Sequence, residues 1–491
     1  MRTSSAVALT SLIGAVAFAF VAACSGSDGS DGAAGTAGTA GVAGATGTVG
    51  QTGPAGAAAD GGSSGADAAP FLLALSERAQ KGLAIAPVPL ALAGKTAAQI
   101  EQIGIGSYIV NAAASCGDCH SPSPTKYLAG GVVLPLDAAG TQFVVTRNLT
   151  PDPTTGLKDT EAQYIQAERT GTDILNVGKA LLVHPWQYER WLSTDDLKAI
   201  YAFLRVIPPV NNPYPADTKP TVPGLPIPTT YNEGDVVRPL PPETDALGQP
   251  IPDPNNVLKG LAIVPLAVAP PTNPSDLALY GRGSYLVNAV GACSDCHTNP
   301  ARLQNATQSI GTAGYMTGGR VFPLAPFAPV VGFQRSMAAN LIGKTKGFFN
   351  QPGVDFQVFL QTITQGIHGD EAVGGGTPKP LAFPMPYSAL RKMTLGDLEA
   401  IYVYFHHLAT VAPITGVNDK STLEAARYCT ANPQCTGAGE TCDTTAKECV
   451  GRDCAVDTDC DVCQKCSGAN KCRAYTAGEA AQLGACIGVG L

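Results

Sequence analysis

Two five-residue segments hold the most specific chemistry in the chain: Cys116-Gly117-Asp118-Cys119-His120 and Cys293-Ser294-Asp295-Cys296-His297. Both read Cys-x-x-Cys-His, the attachment pattern of c-type haem. Two thiols at this spacing can add to the two vinyl groups of one porphyrin. The adjacent imidazole then lies beneath the ring, within reach of the iron. Two covalently bound haem c groups are therefore expected, on Cys116 and Cys119 and on Cys293 and Cys296, with His120 and His297 as proximal ligands. The competing readings are a thiol redox pair and half of a zinc site. A redox pair needs no histidine and sits in a βαβ context. A zinc site needs two further ligands nearby, and neither segment has a second cysteine pair in its own unit.

The elements that must position these segments are duplicated. Gly104 to His120 and Gly281 to His297 match at 11 of 17 positions, at an offset of 177. Asp196 to Leu204 returns as Asp397 to Phe405 at an offset of 201, so the second unit carries about 24 extra residues. This is one domain written twice, not a short-period solenoid. Leu197, Ile200, Tyr201 and Leu204 share one helical face, as do Leu398, Ile401, Tyr402 and Phe405, and Thr194 and Thr394 are expected to cap these helices. Strand signals are sparse, so each unit should be mainly α. Between the units, Pro208 to Pro254 holds 14 prolines in 47 residues, which excludes a helix or a central strand.

With these motifs the sequence resembles the class I cytochrome c family, over roughly 98–210 and 276–412. It is most similar to the multihaem cytochrome c subunits of bacterial membrane-bound dehydrogenases. A G-x-G-S-Y segment leads into each haem motif and a G-G-x-V-x-P tract follows it; Asn148 to Leu157 and Pro384 to Tyr387 add to the likeness. The resemblance implies that the first and last helices of each unit cross beside the haem, at Gly106 or Gly283 and the Tyr201 or Tyr402 faces. It also implies Met385 as distal ligand of the second haem, and a redox partner protein, either a dehydrogenase or another cytochrome. From Asn340 the second unit departs from the family tract.

The first unit contains no methionine. Counting back twelve residues from Asp397 gives Met385, and twelve from Asp196 gives His184, without a gap. His184 is thus expected to ligate the first iron, giving His/His there and His/Met at the second haem. The competing reading leaves His184 unligated and the first iron five-coordinate. Met316, Met337 and Met393 align with Leu128, Val145 and Leu192 and are expected to pack; His368, His406 and His407 have no histidine counterparts. A thioether raises haem potential relative to imidazole, so electrons should run from the first haem to the second.

Of the 491 residues, 45% are apolar and 14% charged, with a net charge of −8. That excludes a disordered chain and a nucleic-acid binder. Arg2 and the apolar stretch Ala6 to Ala23 read as an export signal. Val21-Ala22-Ala23-Cys24 resembles a bacterial lipobox, implying a lipid on Cys24 and a membrane anchor facing the periplasm or the cell exterior. A plain signal peptide is the alternative. Glycine then recurs at every third position from Gly26 to Gly56, as a flexible tether or a collagen-like stalk. Ten cysteines lie between Cys429 and Cys486 with no histidine. In an exported segment these read as five disulfides, with a metal cluster as the alternative.

The expected fold class is mainly α: two tandem class I cytochrome c haem domains, flanked by a Gly-X-Y tether and a small disulfide-rich C-terminal module. The expected segments are a signal peptide over 1–23, Cys24 and tether over 24–69, the first domain over 70–210, a proline-rich linker over 211–257, the second domain over 258–415 and the cysteine-rich module over 416–491. The function expected is electron transfer by a membrane-anchored dihaem protein that is not an enzyme. A dihaem peroxidase and a surface scaffold or adhesion protein are the alternatives; the scaffold leaves both haem motifs unexplained.

Overall fold

A computed structural model describes residues 75–135, 143–173, 181, 183–215, 242–298, 314–323, 333–344, 347–373, 375–376, 378–411, 426–427, 429–435, 439–444, 447–451, 464–467, 469 and 471–474. The export signal, Cys24, the tether and most of the proline-rich linker lie outside these residues. Among those described, no helix is long and apolar enough to cross a membrane.

The repeated sequence folds twice in the same order. The first pass runs α1 (Glu77–Ile85), α2 (Ala97–Tyr108), a π-helical turn (Ile109–Ala113), α3 (Gly117–His120), β1 (Val133–Pro135), β2 (Phe143–Val145), α4 (Glu161–Thr170), α5 (Trp186–Glu189) and α6 (Thr194–Leu204). The second runs α7 (Val257–Ala262), α8 (Pro274–Tyr285), a π-helical turn (Leu286–Val290), α9 (Cys293–His297), β3 (Val321–Pro323), β4 (Phe333–Met337), α10 (Phe356–Gln365), α11 (Gly369–Val373), α12 (Tyr387–Leu390) and α13 (Leu395–Val411).

Local chemistry sets the helix starts. Thr96 with Gln99 and Thr160 with Gln163 form capping boxes on α2 and α4. Thr394 caps α13 through the Asp397 amide, as expected. On α6 the cap is Ser193, not Thr194: Ser193 is the residue aligned with Thr394, and its hydroxyl accepts from the Asp196 amide.

Glycines set the helix crossings. A Cβ on Gly106 would lie 1.9 Å from the Ala199 carbonyl oxygen, and one on Gly283 would lie 2.0 Å from that of Ala400. The crossings therefore use the Ala199–Phe203 and Ala400–Tyr404 faces rather than those of Tyr201 and Tyr402. Tyr201 lies two residues from Ala199, about 200° around the helix, and donates its hydroxyl to the Asp159 carbonyl.

The two passes are joined by a pair of matching contacts. Tyr108 donates to Asp397 Oδ2 at 2.8 Å and accepts from the Thr394 amide at 3.0 Å. Tyr285 donates to Asp196 Oδ2 at 2.6 Å and accepts from the Ser193 amide at 2.9 Å. Each tyrosine thus seals the start of the other unit's last helix, an isologous arrangement within one chain. The match stops at one residue. Arg282 binds Asp397 through Nε at 2.8 Å and Nη2 at 2.9 Å, whereas its aligned position in the first unit is Ile105. Asp196 instead accepts from the Asn256 side chain at 3.0 Å.

The tail adds β5 (Ala426–Arg427) to the edge of β4, making a three-stranded sheet β3-β4-β5. Two hairpins follow: β6 (Thr441–Asp443) with β7 (Glu448–Val450), and β8 (Gln464–Cys466) with β9 (Cys472–Ala474). Cys429–Cys442 and Cys435–Cys449 are disulfides, and Cys472 is also disulfide-bonded. The sulfurs of Cys429, Cys435 and Cys442 lie close enough to suit a metal, but disulfide bonds use them. The other tail cysteines fall outside the described side chains.

Candidate haem sites

Each Cys-x-x-Cys-His segment begins at a forced bend. Ser115 and Ala292, the residues before the first cysteine of each pair, adopt φ of 57° and 46°. Left-handed backbone is unfavourable for such residues and signals an over-determined local geometry. It ends the π-helical turn and starts the short helix that carries the second cysteine and the histidine. All four cysteines are unbonded. Burial pushes Cys293 up to about 12, helped by neighbouring Cys296, so its thiol stays neutral.

The two histidines are held alike. His120 Nδ1 lies 2.8 Å from the Arg147 carbonyl oxygen, and His297 Nδ1 lies 2.8 Å from that of Ala339. A carbonyl can only accept, so Nδ1 carries the proton and the Nε2 lone pair is left for a metal. Burial lowers His120 to about 4 and also lowers His297, favouring the neutral imidazole that ligation requires. Unbonded thiols beside a neutral imidazole with its second nitrogen free fit a covalently attached haem. Cys116, Cys119 and His120 would hold one, and Cys293, Cys296 and His297 the other.

Beside His120 is a cleft whose lining includes Cys116, Tyr164, Glu168, His184 and Glu189. The structure thus brings His184 to the same pocket as His120. His184 Nδ1 lies 3.7 Å from Glu168 Oε2, and its Nε2 lies 3.5 Å from Glu189 Oε2. Burial, and next the charge of Glu189, push the Glu168 carboxyl well above the usual range. Neither glutamate stands out in the sequence.

Met385 sits half-buried on the loop matching that of His184, tied to β4 by the Ser336 hydroxyl donating to the Phe383 carbonyl at 2.6 Å. Among the described residues no hydrogen bond joins Met385 to His297. Met316 and Met393 are buried in the core. His406 stacks on Tyr402, and His407 bonds the Ala269 carbonyl. The two attachment segments are neighbours: a Cβ on Gly291 would lie 3.5 Å from the Ala113 carbonyl oxygen.

The chain is distantly similar to components of two dehydrogenases. It is 28% identical over 328 residues to one of the subunits of nicotinate dehydrogenase from Pseudomonas putida, covering 66% of this chain and 22% of that protein. It is 27% identical over 246 residues to the gluconate 2-dehydrogenase cytochrome c subunit of Pantoea cypripedii, covering 49% of this chain and 46% of that one. The chain therefore spans less than half the length of either relative. No family model matches the sequence.

Proposed function

We propose that this chain is a dihaem electron-transfer protein that relays electrons for a dehydrogenase or another cytochrome. The first haem is attached to Cys116 and Cys119, with His120 and His184 as axial ligands. The second is attached to Cys293 and Cys296, with His297 and Met385. Each haem, when bound, supplies one reversible electron. The protein's residues hold the iron ligands neutral, exclude water and set the two potentials apart. Export and a lipid on Cys24 would place both sites at a membrane surface. The reading is supported above all by the repeated geometry: two Cys-x-x-Cys-His segments, each with its imidazole Nδ1 donating to a backbone carbonyl at 2.8 Å. Similarity to a cytochrome c subunit supports it independently.

The test is haem content in a host with cytochrome c maturation. The wild-type protein should stain for haem on a denaturing gel and carry the mass of two haems. Replacing both Cys116 and Cys119 by Ala should leave one. A double variant that keeps two would move the first site elsewhere. The carboxylates around His184 favour a second reading, a dihaem peroxidase with His184 as an acid–base residue. Carbon monoxide separates the two: binding to the wild-type first haem supports the peroxidase, and exclusion supports electron transfer.

A further inference from the structure

The duplication supplies an internal control for the first pocket. Helices α4 and α10 correspond, because each ends at a left-handed glycine, Gly171 with φ of 66° and Gly366 with φ of 69°. A Cβ on either would strike the aromatic ring that opens the next matching helix, Trp186 or Tyr387. Three residues before each glycine stand Glu168 and Ile363. Five residues after His184 and Met385 stand Glu189 and Leu390. Where the second unit has isoleucine, methionine and leucine, the first therefore has glutamate, histidine and glutamate. The three polar residues meet: one ligand-type atom from each lies within 4.8 Å of the others. Burying carboxylates in a pocket that three apolar residues can line is costly unless they find partners.

Two of the polar atoms involved have none. Glu168 Oε2 and His184 Nδ1 are buried without a hydrogen-bond partner, and they face each other at 3.7 Å. With Nδ1 protonated this is a donor facing an acceptor, while the ring's Nε2 lies 3.5 Å from Glu189 Oε2.

We propose that Glu168 is a positioning residue for the distal ligand of the first haem. It accepts the Nδ1–H of His184, fixes the ring with Nε2 toward the iron, and makes the imidazole a stronger donor. Metal-bound histidines commonly have their other nitrogen held this way, and the carboxylate raises ligand basicity. A more strongly donating ligand favours the ferric state. The first site is then held at low potential twice over, by imidazole in place of thioether and by the hydrogen bond behind it. This rests on the proposed ligation by His184.

The experiment uses the intact protein carrying both haems. Redox titration is followed optically, and the oxidised low-spin signals by electron paramagnetic resonance. Glu168→Gln should raise the ferrous-to-ferric ratio of the first haem at a fixed poise about tenfold, a shift of about 59 mV for one electron. The second haem should not move. The wild-type first haem should show a stronger axial field than ordinary neutral bis-imidazole, and Glu168→Gln should restore the ordinary one. Unchanged potential and signal in Glu168→Gln, with the first iron still low-spin, would overturn the proposal and leave His184 as ligand. A wild-type signal of ordinary neutral bis-imidazole would overturn it without any variant. His184→Ala should open the first iron to carbon monoxide; if it does not, His184 is no ligand and both readings fall.

Discussion

The two passes of the repeat share a backbone and differ in the side chains of their pockets. Both have the bend before the first cysteine, the carbonyl behind the histidine and the crossing on a glycine. The first pocket adds Glu168, His184 and Glu189; the second has Ile363, Met385 and Leu390 at the same places. The interface differs as well, since Arg282 faces Ile105 in the alignment. The attachment motif is thus common to both units, whereas the polarity of the pocket facing it is particular to each. Under the proposed dihaem reading, one scaffold built twice holds two sites at different potentials.

Exchanging the distal residues is the largest perturbation of that comparison. Axial ligands move haem potential over a range of about 0.8 V. Met385→His should lower the second haem and remove the weak far-red band of Met–Fe(III) ligation. His184→Met should raise the first and can add a second such band. Spectra and potentiometry of both variants check this. A far-red band that survives Met385→His would remove Met385 from the second site.

The asymmetry at Arg282 predicts unequal costs at the two interface aspartates. Asp397 and Arg282 are both buried and doubly bonded to each other. Asp397→Ala strands a buried guanidinium, and such losses cost about 3–5 kcal/mol. Asp397→Ala also strands the Tyr108 hydroxyl. Asp196→Ala strands the matching Tyr285 hydroxyl, at about 1–3 kcal/mol, but no guanidinium, and the half-buried Asn256 amide can turn to water. Denaturant unfolding of the two variants should rank them in this order. Acid should show it too. Burial tends to raise the Asp397 carboxyl, but Arg282 outweighs it and holds the group below its usual value. The folded state therefore binds this proton less readily than the unfolded chain. The stabilisation is complete above about pH 5 and is lost as pH falls through the unfolded value near 3.9 toward the folded one. Asp397→Asn should flatten that part of the stability profile.

The attachment motifs were legible because they are local. Five consecutive residues define each motif, and the first-pocket histidine follows from counting twelve residues back from Asp196. Glu168 and Glu189 were not legible, because a lone glutamate on a helix reads as a solvated surface residue. Only the fold turns Glu168 inward, and only pairing Gly171 with Gly366 reveals that an isoleucine is its counterpart. The Tyr108–Asp397 and Tyr285–Asp196 contacts were hidden for a different reason. Each tyrosine looks like a residue of its own unit's core, and neither partner lies in that unit. The cap on α6 falls one residue before the expected Thr194, since Ser193 and Thr194 are both capping types and only the alignment with Thr394 separates them.

The smallest expected effect concerns whether the two interface contacts act separately. Tyr108→Phe and Tyr285→Phe each remove one hydroxyl bonded to a carboxylate, at about 1.5–3 kcal/mol apiece. Residues with no shared partner add to within about 0.5 kcal/mol. These two share one. Arg282 binds Asp397, the partner of Tyr108, and its guanidinium carbon lies 5.6 Å from the centre of the Tyr285 ring. Loss of the Tyr108 bond leaves Asp397 more dependent on Arg282, and loss of the Tyr285 bond to Asp196 alters the ring beside that same guanidinium. The double variant should depart from the sum of the singles by more than about 0.5 kcal/mol. In an Arg282→Met background, which resembles the apolar Ile105 side of the pair, the departure should vanish. Additivity in the wild-type background would mean that the two halves of the interface are independent, with Arg282 serving Asp397 alone.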